Sequence, residues 1–147
     1  MEIGGLPLHP LVIHAAVVFG PLAALCALAY AVVGRWRDRL RWPTVVLAVV
    51  ATGSIVAAYL TGRDFLESRP ELGTKPLVET HEARAKLLLW VALAFGAVSL
   101  VAGWLHANTG MARVVLRGAL AVAALGLLVQ VVRTGDAGAR AVWEVLG

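Results

Sequence analysis

The chain carries four histidines and a single cysteine in 147 residues. These are the side chains whose types could do chemistry. Neutral imidazole is the commonest transition-metal ligand, and a b-type haem takes two of them from facing helices. His14 stands about one turn inside a segment that has no Asp, Glu, Lys or Arg between Ile3 and Gly34. An ionisable group at that depth marks either a site or a buried polar group with a partner. His81 opens the third apolar segment. His14 and His81 are therefore the expected axial ligands of one b-type haem, with Arg63, Arg84 and Arg133 at the rim to pair its propionates. His9 precedes the first helix and reads as a surface residue or a propionate neighbour. Grouped with His14, His81 and either Asp64 or Glu82, it would instead complete a divalent-metal site. A third reading has His14 bonded across the bundle to Thr61 or Gln130, with His81 as a surface residue near a helix cap. No CxxCH is present, so covalent haem attachment is excluded.

Four segments must position these groups. The first runs from about 10 to 34, with Pro10 at a first-turn position and Pro21 predicting a kink in mid-span. The second is about 43 to 62, with a small-residue row at Gly53, Ala57 and Thr61. The third is about 81 to 106, with Thr80 as its expected N-cap. It carries a narrow face of Ala85, Leu88, Ala92, Gly96, Ser99 and Gly103. The fourth is about 113 to 132, where Ala119, Ala123, Gly126, Gln130 and Arg133 share a face. Each exceeds or approaches the ~20 apolar residues that span a bilayer. The expected fold is an all-α integral membrane four-helix bundle, formed by one domain covering 1–147. In that topology His9, His14, Thr61 to Asp64, His81 and Arg133 to Asp136 meet at one membrane face. His106, beside Trp104, lies at the other and reads as an interfacial residue. Arg117 is expected to snorkel.

The composition agrees, with 60% hydrophobic and 15% charged residues. A soluble domain of this size has no interior large enough for that apolar area. The net charge of +4 does not indicate nucleic-acid binding, because the basic residues cluster at segment ends as topology signals. No cleavable signal peptide is visible. Arg35, Arg37, Arg39 and Arg41 directly follow the first segment and no basic residue precedes it. Both termini are therefore expected outside, in a bacterial inner membrane. No Ser/His/Asp set, phosphate loop or paired intramembrane carboxylates occur, which argues against an enzyme. Besides the lipid bilayer, a redox partner protein, another membrane subunit or a second copy of the chain is compatible with these features. A non-catalytic accessory subunit is the alternative to a haem electron carrier.

Short motifs recur in order along nearly the whole chain: Leu8-His9-Pro10-Leu11-Val12-Ile13-His14, Gly20-Pro21-Leu22-Ala23, Thr61-Gly62, His81, and Thr134 to Trp143. Together they resemble an uncharacterised prokaryotic membrane family, a four-span domain of unknown function. Some relatives in that family are fused to a Rieske-type iron–sulfur domain, and the resemblance so implies redox traffic. This chain has no such domain. It departs from the pattern at Phe19-Gly20, where relatives place the proline sooner after the histidine. It departs again at Asp136, where a histidine is common, so the fourth-helix motif is not expected to ligate metal here.

Overall fold

The computed structural model describes residues 2–3 and 6–146. A two-residue antiparallel pair, Glu2–Ile3 with Leu6–Pro7, leads into the first helix. The helices are α1 Leu8–Val32, α2 Arg37–Glu67, the one-turn α3 Pro70–Gly73, α4 Pro76–Trp104 and α5 Gly110–Leu146. Among the described residues, four helices are long and apolar enough to cross a membrane. Their most apolar windows have mean hydropathies of 2.0 to 2.3.

The helices outrun the apolar segments. α2 begins at Arg37, ahead of the expected 43, and Pro43 lies within it. Pro43 falls in the second turn, past the free N–H groups of the first, so the helix forgoes the bond to the Arg39 carbonyl there. α4 starts at Pro76, a first-turn proline, so Thr80 is not a cap. Its hydroxyl instead donates to the Pro76 carbonyl at 2.8 Å. The expected C-terminal tail is the end of α5, whose 37 residues make a rod of ~55 Å. The hydrocarbon core needs only ~30 Å, so α2 and α5 continue into the headgroup region and beyond.

α1 packs against α2 and α5, and α4 packs against the same two helices. α1 and α4 are thus diagonal, as are α2 and α5. The core is made of small residues, with Ala23, Ala24, Ala27, Ala48, Ala51, Ala92 and Ala124 fully buried. Large apolar side chains such as Val18, Leu25, Trp90 and Val122 face outward. That inversion is expected where lipid is the solvent and close backbone approach holds the helices. The α4 face of Leu88, Ala92, Gly96, Ser99 and Gly103 is buried as anticipated. Two other faces are not seams. Gly53 is exposed with open space around it. Ala119 and Arg133 are also exposed, because α5 turns Leu120, Ala124, Leu127, Val131, Thr134 and Ala137 inward.

The two hairpins, α1–α2 and α4–α5, use the same register. Every buried position of α1 has a buried counterpart on α4 a constant 72 positions later: Ala16 and Leu88, Gly20 and Ala92, Ala23 and Phe95, Ala24 and Gly96, Ala27 and Ser99, Tyr30 and Ala102, Ala31 and Gly103. On the second helices the interval is 76, pairing Thr44 with Leu120, Ala48 with Ala124, Ala51 with Leu127, Ile55 with Val131 and Thr61 with Ala137. The bundle is two copies of one hairpin about a pseudo-two-fold axis along the membrane normal.

Candidate paired-histidine site

Two histidines, His9 and His81, stand at the N-terminal ends of α1 and α4. The His9 ring lies across the α1–α2 seam. Its Nδ1 is 3.0 Å from the Ala58 carbonyl and 3.3 Å from Thr61 Oγ1. A carbonyl only accepts, so Nδ1 carries the hydrogen and donates it. Gly62 makes the space: a Cβ there would stand 3.0 Å from His9 Cε1. Phe65 stacks on the ring at 6.4 Å between centroids. His81 repeats this on the α4–α5 seam. Its Nδ1 donates to the Thr134 carbonyl at 3.2 Å, and a Cβ on Gly138 would stand 2.9 Å from its Cε1. His9 and His81 obey the 72 interval, while Ala58 and Thr134, and Gly62 and Gly138, obey the 76 interval. The two rings are pseudo-symmetry mates, close enough to interact electrostatically.

Both Nδ1 atoms are anchored by backbone, and each leaves Nε2 as the acceptor nitrogen. An outer hydrogen bond that fixes tautomer and ring orientation is what a ligating histidine needs. Among the described residues, no group of three or more His, Cys, Asp or Glu could hold a metal ion. The set expected from His9, His14, His81 and a carboxylate is therefore not assembled.

The structure does not bring His14 toward His81. His14 is exposed, and its Nδ1 donates to the Pro10 carbonyl of its own helix at 2.6 Å. Five positions from His9 is ~500° of helix, so the two rings point ~140° apart and His14 faces away from the bundle. It bonds neither Thr61 nor Gln130; His9 takes the place beside Thr61. The arginines divide as well. Arg63 pairs with Glu67 on the exposed side of α2 at 3.4 Å. Arg84 and Arg133 line a cleft of about 450 Å³ between α4 and α5.

The opposite end holds residues that sequence reasoning undervalued. His106 Nε2 donates to Asp38 at 2.8 Å, and its Nδ1 is 3.0 Å from the Tyr30 hydroxyl. Tyr30 also donates to the Ala102 carbonyl at 3.1 Å, and Arg37 donates to the His106 carbonyl at 2.6 Å. His106 is thus a staple among α1, α2 and the α4 C-terminus rather than a free interfacial residue. Arg41 donates to the Gly103 carbonyl at 3.0 Å, and Arg117 donates to the Ala31 and Val32 carbonyls. Arg117 so caps the end of α1 instead of snorkelling. Arg41 and Arg117 are again mates under the 76 interval, as are Ala31 and Gly103 under the 72 interval. The visible signal was Arg-x-x-Leu-Arg, which occurs at Arg37 to Arg41 and again at Arg113 to Arg117.

Fold and site together define a polytopic four-helix membrane protein with a paired histidine at one end. Residues 5–146 match the family model described as "Predicted membrane protein (DUF2231)", and the chain belongs to that family. No curated protein and no solved structure gives a significant match.

Proposed function

We propose that the protein is a membrane electron carrier that binds one b-type haem through His9 and His81 at its extracytoplasmic end, exchanging electrons between a membrane donor and an external acceptor. The observation that carries this reading is the pair of backbone-anchored imidazoles on diagonal helices, each with Nε2 left for a ligand. The donor set suits haem better than a bare ion. Structural zinc asks the protein for about four ligands, whereas haem brings four nitrogens of its own and asks for two. The glycines under each ring supply the clearance that lets both imidazoles settle on the backbone. When bound, the haem supplies a one-electron couple. The chain's own part is to fix both rings and to exclude water from them with Phe65 and the α1–α2 and α4–α5 seams.

The test is an absorption spectrum of protein expressed with ample haem, air-oxidised and then dithionite-reduced. A sharp reduced α-band that disappears in His9→Ala and in His81→Ala, and persists in His14→Ala, is the expected result. A featureless wild-type spectrum would sink the proposal. One observation favours a second reading, in which the chain is a non-catalytic accessory subunit: each ring is already satisfied by a carbonyl and seated on a glycine, as a purely structural pin would be. In that case both alanine variants lower the melting temperature and no chromophore is found.

A further inference from the structure

The internal repeat provides a control for every side chain, since the equivalent position on the other hairpin shows what packing alone requires. The outer groove of α4–α5 departs from that control. Its cleft of about 450 Å³ is lined by Thr80, Ala83, Arg84, Leu87, Gln130 and Arg133. It adjoins a smaller pocket of about 240 Å³ that shares Thr80 and Arg84 and is also lined by the Asp136–Arg140 ion pair. On the α1–α2 groove the counterparts of Arg84, Gln130 and Arg133 are Val12, Ser54 and Ala57. The same backbone packing is therefore achieved without any charge. Two guanidiniums and the sole amide within a span have been added to one groove for another reason.

Arg63 is paired with Glu67 and Arg140 with Asp136. Among the described residues, neither Arg84 nor Arg133 has a carboxylate within ion-pair distance. From Ala83 and Leu87 in the cleft lining, an exposed apolar stripe continues at helical spacing along α4 to Trp90. A cationic cleft at the membrane boundary, continued by an apolar stripe into the bilayer, has the polarity of a phospholipid. We infer that this cleft binds the phosphate group of an anionic membrane lipid. Arg84 and Arg133 hold the phosphate oxygens, Gln130 and Thr80 supply further donors, and an acyl chain runs down Leu87 and Trp90.

The experiment is native mass spectrometry of the full chain, delipidated and then titrated with phosphatidylglycerol or phosphatidylcholine. One phosphatidylglycerol should be retained in preference to phosphatidylcholine, and Arg84→Gln/Arg133→Gln should weaken that retention by about tenfold or more, as expected for loss of two charge-assisted pairs. Arg84→Lys/Arg133→Lys keeps the charge but loses the guanidinium fork, and should bind between the wild type and the glutamine variant. Exposed arginines elsewhere, tested as Arg39→Gln/Arg69→Gln, should matter little. Equal loss in this control would overturn the proposal in favour of bulk electrostatics. Loss in the lysine variant as complete as in the glutamine variant would show that charge is not what holds the lipid. Displacement of the lipid by millimolar inorganic phosphate would assign the cleft to a soluble anion instead.

Discussion

At the scale of single residues, the site depends on two glycines as much as on two histidines. A Cβ at 138 would overlap His81 Cε1 at 2.9 Å, and one at 62 would touch His9 Cε1 at 3.0 Å. Each ring is held by its backbone bond, so it yields only by giving up that bond. Gly138→Ala is expected to cost about 1–3 kcal/mol, the usual range for overpacking, and to abolish any haem spectrum while His81 is still present. Gly135→Ala, with open space around it, is the neighbouring control: it should leave the spectrum unchanged and, like other open helical glycines, should not lower stability. Reduced-minus-oxidised spectra and melting curves of the two variants check this. The histidine identities show where sequence reasoning runs out. His81 was legible, because it opens an apolar segment. His14 drew attention by its depth, but depth does not say which way a ring points. That is settled by which helix lies beside it, and α2 offers its Ala58 carbonyl to position 9. The repeat would have supplied the missing signal: aligning Arg37 to Arg41 with Arg113 to Arg117 brings Gly62 onto Gly138.

At the scale of helices, small residues do two different jobs that composition cannot separate. Gly103 faces Val45, whose Cγ2 would overlap a new Cβ. Gly103→Ala should therefore push α4 from α2, weaken the Arg41 bond to the Gly103 carbonyl, and lower the melting temperature. Gly53 and Gly118 have nothing within 4 Å, so alanine there should stabilise the helix by about 0.5–1 kcal/mol. Ser99 offers a sharper case. It is fully buried and its hydroxyl has no partner among the described residues, while its repeat mate is Ala27. Ser99→Ala is expected to raise stability by about 1 kcal/mol or more, since it removes an unsatisfied buried group without leaving a large void. Thermal unfolding in detergent, followed by helical circular dichroism, reads all four variants. The existence of the four helices was plain from the apolar runs, but their ends were not. Charge marks where hydrocarbon stops. Helix stops only where the backbone is broken, so the Arg37 to Trp42 stretch and the residues after Val132 remain helical beyond the apolar core.

At the scale of the whole molecule, four spans place both chain ends at the same membrane face, along with His9, His81 and the basic cleft. Which face that is depends on charge. The loops joining α1 to α2 and α4 to α5 carry six Lys and Arg by the sequence-defined segments, and the opposite side carries seven, so totals do not decide it. The proposal of external termini rests on density and position: Arg35, Arg37, Arg39 and Arg41 follow α1 immediately, and the first span usually dominates insertion. Three arginines at this end, Arg37, Arg41 and Arg117, also hold carbonyls across helix boundaries, so their charge and their packing cannot be removed separately. Arg35 and Arg39 are exposed and make no such bond, which frees them to report on topology alone. An alkaline phosphatase fused after the end of α5 should be active, showing an external C-terminus. Arg35→Ala/Arg39→Ala should lower that activity and raise that of a cytoplasmic reporter at the same point, giving a mixed population without loss of helix packing. A wild-type fusion active only as the cytoplasmic reporter would invert the orientation. His9, His81 and the lipid cleft would then face the cytoplasm, and an electron acceptor would have to be sought there.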